Sequence, residues 1–153
     1  HRFEKNLKMT KHEVKQEMKQ QELAPELRAA QRRRQRDAAR RRMLSDVPMA
    51  DVVITNPTHY AVALRYDSEI GAPQVVAKGV DLLALRIREI AEESGVQRVE
   101  NRGLARELYA SVDVGATVPA ELYAAVAEVL AYVYRVEERK RAAGEHVRAT
   151  SAA

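Results

Sequence analysis

Residues 51–67 read DVVITNPTHYAVALRYD, and the fold turns on how that stretch is parsed. Val52, Val53 and Ile54 form a short β-branched run, the composition of a buried strand. Asn56-Pro57 breaks the run. Residues 61–66 then alternate, with Val62, Leu64 and Tyr66 on one face, which predicts a second strand.

Working outward, residues 67–73 form a turn-rich loop, 74–77 a third strand, and Lys78-Gly79 its end. From Asp81 to Ser94 the period becomes helical, with Leu83, Ile87, Ile90 and Ala91 on one stripe and Gly95 at the expected stop. Residues 96–99 read as a fourth strand and 104–112 as a short helix. Pro119 opens a last helix whose stripe is Leu122, Val126, Val129, Leu130 and Val133. Four short strands and three helices in mixed order predict an α/β domain: a small four-stranded mixed sheet surrounded by helices. Upstream, residues 3–22 read as a solvated helix that Pro25 interrupts. Residues 26–44, rich in alanine, arginine and glutamine, read as a second. The expected organisation is a long basic helical linker at 1–46, a globular domain at 47–140 and a flexible tail at 141–153.

Composition removes whole classes of function. With no cysteine there is no disulfide, thiolate or cysteine-zinc chemistry. His1, His12, His59 and His146 are scattered, no pair at helical i,i+4 spacing, so neither a metal nor a cofactor is expected. The net charge of +4 is concentrated: Arg28, Arg32, Arg33, Arg34, Arg36, Arg40, Arg41 and Arg42 crowd one segment, with Asp37 the only acid among them. Such a cluster suits an acidic partner, a nucleic acid or an anionic membrane surface. The longest apolar region, Leu122 to Val136, is broken by Glu128 and Arg135 and is too short to cross a bilayer. No signal peptide is visible, and the start at His1 suggests a piece of a longer protein.

Asn56-Pro57-Thr58-His59 carries the chemistry. One reading is a plain turn, since asparagine and proline are common turn residues. The other is bond cleavage. Asparagine usually rearranges when the next backbone nitrogen attacks its side chain, but proline has no N–H, so that route is closed. The roles then reverse. The Asn56 side-chain nitrogen attacks its own main-chain carbonyl, a succinimide forms, and Pro57 leaves as a new N-terminus. An amide is a poor nucleophile, and each tenfold in rate takes about 1.4 kcal/mol. Turn strain would supply about 1–3 kcal/mol and orientation of the side chain the remainder. His59 is the group in the motif suited to take the amide proton, or else a polar cap of the turn. Thr58 would hydrogen-bond the developing oxyanion or shape the turn.

With this motif in place, the chain resembles the FlhB/YscU family of type III secretion export-switch proteins. The resemblance rests on residues 51–67 together with APQVVAKG at 72–79, LLALRIREIAEESGV at 82–96, LARELY at 104–109 and PAELYAAVAEVLAYVY at 119–134. It covers most of 43–137, and five blocks in order are far more specific than the four-residue motif. It implies a cytoplasmic domain held at the bacterial inner membrane by helices upstream of this piece, cut between Asn56 and Pro57, its two parts staying together in one sheet. Cleavage is then a single intramolecular event, not enzymatic turnover, and lets the export apparatus change substrate class. The Val-Val-Ala-Lys-Gly block and the last helix look like the flagellar branch, where the change is from rod and hook to filament subunits. An injectisome paralogue is the alternative. The implied partners are export-gate membrane proteins, export substrates and the hook-length control protein.

Two departures from the family pattern stand out. Asn101-Arg102-Gly103 replaces a common Pro-Pro pair before Leu104, which predicts a more mobile loop, and the Gly-Asp often found before Pro25 is missing. By resemblance, Ala72, Pro73, Ala127 and Leu130 form a patch for short hydrophobic export signals. On the plainer reading Ala127 and Leu130 are core positions. Arg32, Arg33, Arg34, Arg36, Arg40, Arg41 and Arg42 would meet an anionic membrane surface or a partner. Two competing functions have weaker support. A nucleic-acid-binding module would use the arginines but lacks aromatic stacking residues or a known motif, so no nucleic acid is expected. A protease acting on other chains would need a triad or metal set that cannot be assembled.

Overall fold

Strand β1 (Val52–Asn56) lies between two neighbours, antiparallel to β2 (Tyr60–Asp67) and parallel to β4 (Gln97–Glu100). Strand β3 (Ala72–Val80) pairs antiparallel with β2, giving the order β3-β2-β1-β4 in a four-stranded mixed sheet, the sheet type expected from the sequence. The computed structural model describes residues 11–19, 24–57 and 59–152, the side chains beyond 144 excepted. After a helical stretch at 11–19, its helices are α1 (Pro25–Asp46), α2 (Asp81–Glu93), α3 (Arg102–Ser111) and α4 (Tyr123–Ala152). The chain divides into two units, His1–Arg41 and Arg42–Ala153.

The sheet is covered on both faces. Val52, Ile54, Val62, Leu64 and Val75 pack under Leu104, Leu108, Val126, Leu130 and Val133 of α3 and α4. Val53, Ala61, Ala63 and Ala77 face Ala84, Ile87 and Ala91 of α2, with Val47 and the partly buried Met43 and Leu44 beside them. Alternation in 61–66 reads as a one-faced strand, yet both faces of β2 are buried. Ala61 and Ala63 on the second face are small, which lets α2 approach the sheet, so the alternation separates large from small rather than apolar from polar. Burying each of Val52, Val53 and Ile54 contributes roughly 1.5–3 kcal/mol.

Strand β3 is longer than the four residues expected because it pairs with β2 from Ala72 to Val80, and a second segment pairs with its outer edge near Val75. Gly115 donates to the Val75 carbonyl at 2.8 Å, Val75 to Ala116 at 3.0 Å and Val118 to Pro73 at 2.9 Å. That covers an edge otherwise open to another chain. A bulge at Val76 shifts the register between Ala63 and Leu64.

The helix ends follow their residues. Gly95, at φ 75°, closes α2 in a conformation that disfavours any side chain. The loop expected to be mobile at 101–103 is instead a helix start. The Asn101 side chain accepts from the Leu104 N–H at 3.2 Å, and the Asn101 backbone N–H donates to the Thr55 carbonyl at 2.9 Å. A short 3₁₀ turn, Ala120–Leu122, follows Pro119 and leads into α4. The segment read as a tail continues α4 in helical form to Ala152, and its described side chains, 141–144, are exposed. Of the solvated helix expected at 3–22, residues 11–19 are helical and exposed; the others lie outside the described residues.

Gly79 lies opposite Ala61, and a Cβ there would meet Leu83 Cγ at 2.6 Å. Since the clash is with the inner atoms of Leu83, Gly79→Ala should cost about 1–3 kcal/mol in urea unfolding. Removing the cap with Asn101→Ala should cost about 1 kcal/mol in the same measurement. A wild-type midpoint in either variant would contradict these packing and capping assignments.

Candidate functional site

The β1–β2 connection is short: Asn56 pairs with Tyr60, leaving three residues between the strands. The His59 N–H donates to the Asn56 carbonyl at 3.0 Å, the i to i+3 bond of a β-turn with proline at its second position. The His59 carbonyl in turn accepts from the Asp81 N–H at 3.1 Å. The peptide groups on both sides of His59 are therefore tied, one to the Asn56 carbonyl and the other to the start of α2. Asp81 holds φ at 50°, a left-handed conformation that costs a non-glycine residue about 1–3 kcal/mol. On the other side of the turn, the Asn101 N–H fixes the Thr55 carbonyl.

Burial follows the same gradient. Thr55 is 3% exposed and Asn56 7%, whereas Pro57 is half-buried and the His59 side chain is exposed. Among the described residues none hydrogen-bonds the Asn56 carboxamide. Thr58 lies outside the described residues. The arrangement thus presents a carbonyl already polarised by a backbone donor, beside a sheltered carboxamide, with no N–H on the next residue.

The other expected site residues lie on β3, α4 and α1. Ala72 and Pro73 are buried at the start of β3, Leu130 is buried in the core beneath α4, and Ala127 is exposed on α4. Arg32, Arg33, Arg34, Arg36, Arg40, Arg41 and Arg42 are all exposed along α1. No group of three or more metal-ligating side chains occurs among the described residues, and no helix there is long and apolar enough to cross a membrane.

The sequence reading missed Asp81 and Asn101 as supports of the turn. Asn101 had a legible signal, an asparagine immediately before a helical pattern. Asp81 had none, because its bond to the His59 carbonyl forms only when the start of α2 meets the turn.

The chain is similar to several known proteins. The flagellar biosynthetic protein FlhB of Bacillus subtilis (strain 168) is 53% identical over 138 residues, 90% of this chain and 38% of that protein. The flagellar biosynthetic protein FlhB of Escherichia coli (strain K12) is 50% identical over 142 residues, 92% of this chain and 37% of that protein. The chain thus spans less than two-fifths of these relatives' length. Its fold is similar to the crystal structure of the cytoplasmic domain of FlhB from Shewanella putrefaciens, with a TM-score of 0.65 and 43% identity over 67% of this chain and 80% of that one. An EscU C-terminal domain carrying an asparagine-to-alanine substitution matches at a TM-score of 0.57 and 28% identity, over 60% of this chain and 92% of that one. The family model for FlhB, HrpN, YscU and SpaS matches residues 1–133, and with these relatives it shows that the chain belongs to the FlhB/YscU family of export proteins.

Proposed function

We propose that this domain cuts itself once between Asn56 and Pro57 and that the cut serves a substrate switch in flagellar protein export. The observation that carries the reading is the scissile carbonyl of Asn56, hydrogen-bonded at 3.0 Å by the His59 N–H in a proline-containing turn whose asparagine is 7% exposed. In the reaction the Asn56 Nδ2 bonds to its main-chain carbonyl carbon. The His59 N–H stabilises the oxyanion, which collapses as the bond to the Pro57 nitrogen breaks. The Nδ2 proton passes through the His59 imidazole to that nitrogen. Water later opens the succinimide. One oriented backbone donor supplies on the order of 3 kcal/mol, and holding the amide against the carbonyl supplies more.

The sheet explains why such a cut need not separate the parts. β1 would belong to the first fragment, and both its partners, β2 and β4, to the second. Withdrawing β1 means exposing three fully buried apolar side chains and opening two ladders. The free ends at the turn would gain room to move while the core stays closed.

The relatives' names support a wider role. Identities near 50% to flagellar proteins, against 28% to the EscU domain, favour flagellar export over an injectisome. The domain would sit on the cytoplasmic side of the inner membrane, joined to upstream helices, and work with export-gate membrane proteins, export substrates and the hook-length control protein. Ala72, Pro73, Ala127 and Leu130 remain the proposed docking place for export signals, with Ala127 offering the exposed contact. The arginines of α1 suit an anionic membrane surface, and such contacts weaken as salt rises.

Wild-type protein incubated at neutral pH should give two bands on a denaturing gel, the smaller fragment's mass first one water below that of residues 1–56 and the larger starting at Pro57. Asn56→Ala should remain one band; a cut at the same bond in that variant would exclude asparagine cyclisation. In native size-exclusion chromatography the two wild-type fragments should co-elute, parting only in denaturant. Separate native peaks would show that β1 does not hold them.

A further inference from the structure

We infer that Lys78 is a positioning residue for the reaction at Asn56, acting through a cation–aromatic stack that links α3 to the turn; this rests on the self-cleavage reading above. Lys78 lies on β3 opposite Val62, and Val80, two residues on, lies opposite Tyr60. Strand alternation puts Tyr60, Val62 and Lys78 on the sheet face that α3 and α4 cover. A lysine on an apolar face has to carry its ammonium to polar partners. Here Nζ donates to the Tyr109 carbonyl at 3.0 Å and to the Val112 carbonyl at 2.9 Å. These are carbonyls at the C-terminal end of α3, whose last turn contains no basic residue. Lys78 thus supplies from the sheet the charge that a helix C-terminus favours.

The same ammonium lies 5.0 Å from the centre of the Tyr109 ring, within cation–π range. That ring meets the Tyr60 ring at 5.1 Å, tilted by 44°. Tyr60 is the strand partner of Asn56. The order from charge to chemistry is therefore Lys78, Tyr109, Tyr60, Asn56. Asp113 lies 4.0 Å from Nζ but its side chain is almost fully exposed, so solvent screens it and the carbonyls and ring hold the ammonium. With α3 also tied at its start to the Thr55 carbonyl through Asn101, one short helix braces both strands that flank the cut. Attack by an amide depends steeply on geometry, and a displacement of about 1 Å can cost on the order of a hundredfold.

The test uses the full chain, purified intact in denaturant, refolded, and followed on denaturing gels at a temperature where circular dichroism shows every variant folded. Lys78→Met keeps the stem and removes the charge, and cutting should slow by about tenfold. Lys78→Arg keeps a cation over the ring and should cut within about threefold of wild type. Tyr60→Leu breaks the stack while leaving the α3 cap in place, and it should slow cutting like Lys78→Met. Ile87→Val removes a methyl group from the opposite layer, costs about 0.5–1.5 kcal/mol of stability, and should cut at the wild-type rate. Lys78→Met cutting as fast as wild type would overturn the inference, as would Ile87→Val slowing equally, which would reduce the effect to general stability. Wild-type protein that stays intact would instead bring down the self-cleavage reading, and this inference with it.

Discussion

The placement of β1 governs the rest of the structure. It is buried on both faces, paired on both edges, and its five residues are each less than a tenth exposed. A strand so enclosed cannot shift register without moving a valine or isoleucine into a layer shaped for other side chains. The turn that follows inherits this rigidity. Asn56 stays at the rim of the sheet, and the chain must reverse within three residues to pair as β2.

That constraint concentrates backbone hydrogen bonds at one place. The carbonyls of Thr55, Asn56 and His59 accept from the N–H groups of Asn101, His59 and Asp81, which belong to three different parts of the chain. None of these donors is a side chain. The left-handed Asp81 marks where the surrounding structure overrides local preference. A hydrogen bond within such a turn cannot be relaxed without disturbing α2 or α3. The same rigid frame keeps the Asn56 carbonyl facing a donor, as an oxyanion site requires.

The remaining features divide by what holds them. Lys78 and Tyr109 tie α3 to the sheet through polar and aromatic contacts, while α2 relies on small residues, Ala61, Ala63, Ala77 and Ala84, packed closely against it. α1 is rich in exposed arginine and has no buried residue over its length. A helix of that kind draws little stability from packing and depends on charge for whatever it meets.

The sequence by itself determined the α/β class, the four strands, the helices and the proline-containing turn at Asn56-Pro57. These depend on properties local to a few residues: β-branching, helical periodicity, and the missing N–H of proline. Tertiary structure decided the rest. The full length of β3 came from pairing with β2, and the second buried face of β2 came from α2 packing on alanines. The tie between the Asn101 N–H and the Thr55 carbonyl also came from the tertiary structure. The donor to the Asn56 carbonyl and the stack from Lys78 to Tyr60 join residues distant in sequence or fixed by a backbone turn. Composition and spacing do not encode such contacts, because they form only when the two faces of the sheet close.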